Sequence, residues 1–346
     1  VKTYSEEVEQ KANTLFESEN VDIRTFKFPV LDFLPGHYLR ENLRLSEQFY
    51  STIAERMNEY DLIYAQGFTG YEFIKRNLRI PVFINFHGYE MFQKAIGIKS
   101  KAEQHLFRNR VKWMSRKADF VFSFGAKIQD ILNRIDVPSE KQIELPLGIS
   151  QDWLQESVIP TKEKRKFIFI GRNERRKGIN EINKALEKLI EESYDFEMHF
   201  IGPIPSSFQI PNASIIYHGQ INDEVGLKNT LRACDILISA SFSEGMPTVI
   251  LEGMSQGLAV IATDVGAVSK MVDDTNGLCI ESGNVIALYE AMKGFIQMAP
   301  ESIDQLKLNS LTKFEKNFIS EQIINKLILI FKEKTQEYAS IAGNIN

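Results

Sequence analysis

Two carboxylates eight positions apart, Glu244 and Glu252, bracket the run Glu244-Gly245-Met246-Pro247-Thr248-Val249-Ile250-Leu251-Glu252-Gly253. The first lies on a Gly/Pro turn and the second inside a stretch that reads as helix. Eight residues is a little over two helical turns, so both carboxylates can face one crevice. An acid on such a turn can also act only as a helix cap, because acidic residues favour helix N-termini. A second constellation weighs against that. Phe167-Ile168-Phe169-Ile170 reads as a buried strand and runs into Gly171-Arg172-Asn173-Glu174-Arg175-Arg176-Lys177-Gly178, a Gly-flanked loop with four cations before a helix from about Ile179. Unpaired amides at a helix N-terminus and its positive dipole end attract anions. Arg172 and Lys177 add donors suited to phosphate oxygens, so the loop reads as a diphosphate pocket. An exposed basic turn is the commoner fate of such a charge run. It is not a Walker loop, since G-x-x-x-x-G-K-[ST] is absent. A third feature is Asn85-Phe86-His87-Gly88-Tyr89-Glu90 at the end of an apolar run, which makes His87 the best placed of the five histidines for chemistry.

These residues need elements to hold them. The chain alternates short β-branched or aromatic runs with longer segments at helical spacing. Apolar runs begin at Leu62, Pro81, Phe120, Ile143, Phe167, Met198, Ile215, Ile236 and Leu258; helical spacing marks 102–117 and 181–192. That alternation predicts parallel sheets. With 346 residues the chain is long enough for two domains, and a connecting region falls at about 147–165. The fold class expected is α/β, two doubly wound domains facing a cleft. A ligand site would sit at the carboxyl ends of their strands. The apolar stripe at Ile323, Ile324, Leu327, Ile328, Ile330 and Phe331, within a helix from Glu321 to Tyr338, needs something to pack on. The chain opens on Val1 with a helix-like segment from Ser5 to Phe16 and an extended one from Val21 to Phe28. A doubly wound domain opens on a strand and a Gly-containing turn, so an opening strand and loop are expected to be absent from this chain.

Composition narrows the class. A content of 43% hydrophobic and 25% charged residues belongs to a globular protein. No run reaches the ~18 apolar residues of a membrane span, and no signal-peptide pattern opens the chain. Cys234 and Cys279 sit in apolar, strand-like contexts and read as buried free thiols of a reducing compartment. Neither has a Cys or His at metal-ligand spacing, which argues against a structural zinc. The net charge of −5 is uneven: 94–117 holds eight Lys/Arg and one acid, Glu103, among interleaved apolar residues. Such a stretch reads either as a surface for anionic lipid or as a solvated helix face. No nucleic-acid fold signature accompanies it.

Glu244-Gly245-Met246-Pro247 through Glu252, the Gly171-Arg172 to Lys177-Gly178 loop and His87-Gly88, in that set, resemble the group-1 (glycogen-synthase-like, retaining) GT-B glycosyltransferases. The resemblance implies two Rossmann-like domains, 1–147 on the acceptor side and 148–318 holding the nucleotide sugar, with a final helix in 319–346 crossing back to the first. It implies transfer of a hexose or N-acetylhexosamine from a nucleoside-diphosphate sugar, UDP foremost, with retention at the anomeric carbon. The acceptor would be a glycan, a lipid-linked sugar or a protein in bacterial surface polysaccharide or glycoconjugate synthesis. The expected place is the cytoplasm, at the inner face of the membrane if 94–117 touches lipid. Arg172 and Lys177 would bind the diphosphate. Glu252 would hold the ribose hydroxyls and Glu244 the sugar. Backbone groups of Gly171, Gly245, Met246, Pro247, Thr248 and Val249 would approach sugar and phosphate, although Pro247 has no N–H to give. The base would lie near Gly202 and Ile221, and His87 would face the sugar from the other side. No metal or other cofactor is expected, and no Asp-x-Asp motif stands ready to hold one.

Departures from the family pattern are Pro146-Leu147-Gly148 where Pro-Asn-Gly is usual, Val265-Gly266-Ala267 for Gly-Gly, and Lys270 where an acid is common. Two other classes fit the same shape: a non-catalytic GT-B partner subunit, since a fold does not imply activity, and a sugar-nucleotide epimerase.

Overall fold

In the computed structural model, residues 36–343, together with 24 and 26–29, are described. The segment Ser5 to Phe16 and most of the extended run from Val21 lie outside them. So does the question of an opening strand.

The first part alternates α1 (His37–Ile53), β1 (Ile63–Gln66), α2 (Tyr71–Lys75), β2 (Val82–Asn85), α3 (Gly97–Lys117), β3 (Phe120–Ser123), α4 (Lys127–Arg134) and β4 (Gln142–Glu144). The second continues with β5 (Arg165–Ile170), α5 (Ile179–Glu191), β6 (Phe196–Ile201), β7 (Ile215–Gly219), α6 (Glu224–Arg232), β8 (Ile236–Ser239), α7 (Thr248–Ser255), β9 (Ala259–Thr263), α8 (Val268–Met271), β10 (Gly277–Ile280), α9 (Val285–Gln297) and α10 (Pro300–Asn317). A last helix, α11, spans Ser320–Gly343.

All strand pairs are parallel and form two sheets, β1-β2-β3-β4 and β10-β9-β8-β5-β6-β7. The second order is that of a dinucleotide-binding sheet, with its switch point between β5 and β8. The loops after these two adjacent strands are therefore neighbours, although about 70 residues separate them. Parallel strands buried on both faces need apolar residues on both, and β8 and β9 are buried throughout. One face of the second sheet packs Phe167, Phe169, Met198 and Phe200 against Ile182, Leu186 and Leu189 of α5. The other packs Ile168, Leu237 and Val260 against Ile250, Leu251 and Met254 of α7 and Phe314 of α10.

The first sheet buries Val82, Ile84 and Val121 beside Val111 and Met114 of α3 and Ile128 and Leu132 of α4. Its opposite face carries Phe83, Phe120, Phe122 and Ile143, and against these lie Leu327, Ile330 and Phe331 of α11. Only part of the stripe expected to pack is covered: Ile324 and Ile328 stay exposed, because they sit at the margin of the face that meets the sheet.

The chain passes between the halves twice, and the two passages lie side by side. Ile149 N–H donates to Phe318 O at 3.1 Å, and Ser320 N–H donates to Ile149 O at 2.9 Å. Gly148 belongs there because a Cβ would lie 2.8 Å from Phe318 O and 2.9 Å from Ser320 Cα. Cys234 precedes β8 rather than lying in a strand, and it is buried. Both cysteines are free, and burial pushes their thiols up, to about 12 for Cys234 and about 11 for Cys279. Among the described residues no helix is long and apolar enough to cross a membrane.

Candidate active site

A cleft of about 800 Å³ opens between the sheets. His87, Gly88, Glu90 and Lys94 line it from the first half; Arg176, Lys177 and the run Ser243 to Val249 line it from the second. Each group stands where a strand has just ended. Strand β2 delivers His87, β5 delivers the cationic loop, and β8 delivers Glu244.

Local backbone rules aim the side chains. The 3₁₀ turn Arg175–Lys177 closes on Gly178, whose φ of 75° is left-handed. A Cβ at Gly178 would lie 2.0 Å from Ala240 O, so only glycine lets the loop lie against the end of β8. Phe242 N–H then donates to Arg176 O at 2.7 Å and stitches the two loops together. The result is a cluster around the buried Glu244: its Oε1 lies 2.6 Å from Lys177 Nζ and 3.4 Å from Arg176 Nη1, both half-buried, and Ser241 Oγ donates to it at 2.8 Å. Helix α7 begins just beyond, at Thr248 after Pro247, with no side-chain cap. Pro247, Thr248 and Val249 at this helix start line the cleft, and the positive end of a helix is a place where negative charge is favoured.

Across the cleft the two halves touch. A Cβ at Gly245 would fall 1.4 Å from His87 O, and one at Gly88 would meet Gly245 N at 3.3 Å. Backbone meets backbone here because both residues are glycine. Gly266 is needed for the same crowding, since its Cβ would lie 2.3 Å from the carbonyl oxygens of Glu244 and Gly245. Lys94 Nζ donates to Ser282 O at 2.8 Å, Lys127 pairs with Asp264 at 2.8 Å, and Lys270 pairs with Glu144 at 2.7 Å. Lys270, unusual by the family pattern, thus meets an acid on the opposite half.

The expected residues do not all converge. Lys177, Glu244, Gly245, Met246, Pro247, Thr248, Val249 and His87 share the cleft. Arg172 stands apart: its side chain is 73% exposed and pairs with Glu174 at 2.8 Å. The 3₁₀ turn carries Arg176, not Arg172, beneath Glu244. Glu252 also lies outside the cleft wall. Burial raises its carboxyl above the ordinary value, while a hydrogen bond with Thr248, one turn earlier, pulls it down. Gly171, Gly202 and Ile221 gather at the ends of β5, β6 and β7. Gly171 N–H donates to Ile201 O at 3.0 Å, a Cβ at Gly202 would lie 2.0 Å from Gly171 O, and Ile221 packs on the core below. Arg176, Ser241, Glu90 and Gln93 also surround Glu244, and none of them is a candidate on sequence alone. Arg176 was within the cationic loop and Ser241 is three residues before Glu244, whereas Gln93 carries no signal in the chain. Glu90 faces the cluster from the first half. Desolvation raises its carboxyl, with Arg176 opposing and Glu244 reinforcing. Among the described residues, no three His, Cys, Asp or Glu come together as a metal site.

Residues 164–298 match the family model described as "Glycosyl transferases group 1". The chain carries a group 1 glycosyltransferase domain. That domain contains the cationic loop, Glu244 and Glu252. The chain is 26% identical over 288 residues to a protein of Bacillus subtilis (strain 168) named for teichuronic acid biosynthesis, the glycosyltransferase TuaC, covering 76% of this chain and 69% of that one. It is 22% identical over 260 residues to WcaL of Escherichia coli (strain K12), named for colanic acid biosynthesis, covering 70% and 61%. In fold it is similar to sucrose-phosphate synthase from Thermosynechococcus elongatus, with a TM-score of 0.73 at 17% identity over 90% of this chain and 82% of that one. It is also similar to Anabaena HepE in complex with UDP and glucose, with a TM-score of 0.66 at 16% identity over 92% and 88%. The group 1 domain thus sits within a two-sheet GT-B fold.

Proposed function

We propose that the chain is a retaining glycosyltransferase. It moves a hexose or N-acetylhexosamine from a nucleoside-diphosphate sugar, a UDP-sugar foremost, to a glycan, lipid-linked or protein acceptor in surface polysaccharide or glycoconjugate synthesis. The observation that carries this reading is the Lys177–Glu244–Arg176 cluster, set beside the uncapped start of α7 on the cleft wall. The names of the relatives, teichuronic and colanic acid glycosyltransferases, support a polysaccharide product, and a neighbour holding UDP and glucose supports the donor class.

The diphosphate lies against Lys177, Arg176 and the amides from Gly245 to Val249. Arg172 leaves Glu174 and turns to the phosphates, a small rearrangement for so exposed a side chain. Glu244 orients the sugar, Glu252 the ribose and His87 the sugar's far edge, while the base rests near Gly202 and Ile221. The bond from the anomeric carbon to the phosphate oxygen breaks, and its electron pair stays on the diphosphate. The acceptor oxygen bonds to the same face, and its proton passes to the departing phosphate. The cations supply transition-state stabilisation where that charge collects. They and the helix start meet the diphosphate charge without calling on a metal, so activity is expected to persist in EDTA. The basic face of α3 is proposed to rest on anionic lipid at the inner side of the membrane. Salt-sensitive sedimentation with anionic liposomes checks this.

The direct test is calorimetry with UDP, GDP and ADP, followed by donor turnover. One nucleoside diphosphate should bind, and Lys177→Ala should lower kcat by about 10²–10³ with the fold intact. Absence of binding by any of the three would overturn the proposal.

A further inference from the structure

Gln93 follows the short turn Glu90–Phe92 in the first half and, beside the cleft, reaches the backbone of the second half. Its side-chain nitrogen donates to Glu244 O at 2.6 Å and to Gly88 O at 2.5 Å, and its side-chain oxygen accepts from Glu244 N–H at 3.2 Å. Both amide hydrogens and the amide oxygen are thereby used. The two carbonyls fix which end of the amide is nitrogen. Glutamate lacks the two donors, and asparagine is one methylene shorter. The loop bearing Gln93 is itself held from behind by α3. The buried Tyr89 hydroxyl shares a hydrogen bond with Ser115 at 3.1 Å, Gln104 donates to Glu90 O at 3.0 Å, and Arg108 donates to Met91 O at 2.7 Å. One rigid arm therefore meets the backbone of Glu244, next to the point where Gly88 and Gly245 touch.

We propose that Gln93 is a positioning residue of the transfer reaction: its amide clasps the Glu244 loop to the His87 loop and holds the cleft closed over the donor. This rests on the glycosyltransferase reading above. A closed cleft keeps Glu244 in register with the sugar. It also keeps out water, which otherwise takes the acceptor's place at the anomeric carbon and hydrolyses the donor.

Two variants test it. With no ligand present, hydrogen exchange over residues 241–247 should quicken by about tenfold in Gln93→Ala, because the Glu244 amide loses its acceptor. In turnover, the same variant should lose about 10- to 100-fold in transfer kcat, bind nucleoside diphosphate as tightly as wild type, and lose a larger share of donor to water. Gln93→Glu sets a carboxylate against two carbonyls. It should be weaker than the alanine variant near pH 8 and recover relative to wild type towards pH 5, as its carboxyl takes up a proton and regains a donor. Unchanged exchange at 241–247 in Gln93→Ala overturns the clasp. So do altered exchange with a wild-type ratio of transfer to hydrolysis and a pH-independent Gln93→Glu. Wild-type protein that binds no nucleoside diphosphate overturns the glycosyltransferase reading alone, because the exchange comparison needs no ligand.

Discussion

His199 on β6 and His218 on β7 stack ring on ring, with centroids 5.2 Å apart and planes 12° apart, and His199 Nδ1 lies 2.9 Å from His218 Nε2. Burial first, then His218 and more weakly Lys166, hold His199 below the ordinary 6.5, while Glu197 pulls the other way. Burial lowers His218 as well. The fold thus favours neutral rings, and below about pH 6.5 the unfolded chain binds more protons than the folded one. Stability from this pair rises with pH and is lost as pH falls through that window. The melting temperature should drop between about pH 7.5 and 5.5, and His199→Phe should flatten the drop. Glu90, Asp119 and Glu252, raised by burial, act in the opposite sense, so the comparison with the variant isolates the histidines. An identical slope in the variant would remove them as the cause. At this scale residue types on strand-to-helix turns made Glu244 and Lys177 legible in the chain. Which arginine accompanies them was not, because a single 3₁₀ turn decides between Arg172 and Arg176. Gln93 was invisible: a lone amide in a mixed loop between Phe92 and Lys94 gains meaning only from the carbonyls it meets.

Elements were read best where both sheet faces demand apolar residues, as in β5, β6, β8 and β9, whose β-branched and aromatic runs announce them. Ends were harder. Helix α3 starts at Gly97, not 102, and β7 runs on through His218 and Gly219. Strand β10, Gly277–Ile280, shows in the chain only as the strand-like context of Cys279, because its opening glycine shortens the apolar run. Strand order is also unwritten in any local run; the neighbouring of β5 and β8 follows from how the whole sheet is wound. The junction between β5 and α5 gives a sharp test. Gly178→Ala forces an L-residue into a φ of 75° and drives its methyl onto Ala240 O. Urea unfolding should show a loss of about 2–4 kcal/mol. A loss below about 1 kcal/mol would mean that the loop has room to move.

For the whole molecule, the two chain passages between the halves lie side by side at Ile149 and Ile319, joined by a parallel bridge. Helix α11 begins beside that bridge and closes the open face of the first sheet. Phe331 meets the rings of Tyr64, Phe83 and Phe122 with centroids 5.2, 5.0 and 6.0 Å away. Because Phe331 is half-buried, Phe331→Ala should cost about 2–3 kcal/mol, less than a fully enclosed ring, measured by denaturation. A neutral substitution would show that α11 is dispensable to the first sheet.

The position of that helix also sets a timetable. A ribosome finishes Phe83, Phe120 and Phe122 on the order of 200 residues before Phe331, which at ordinary rates of synthesis is about 10–40 s. For that interval a bare aromatic surface rides on the nascent chain with its cover not yet made. The first half is therefore a natural client for chaperones during translation. A message cut short before α11 would yield a sticky fragment in place of a working half-molecule.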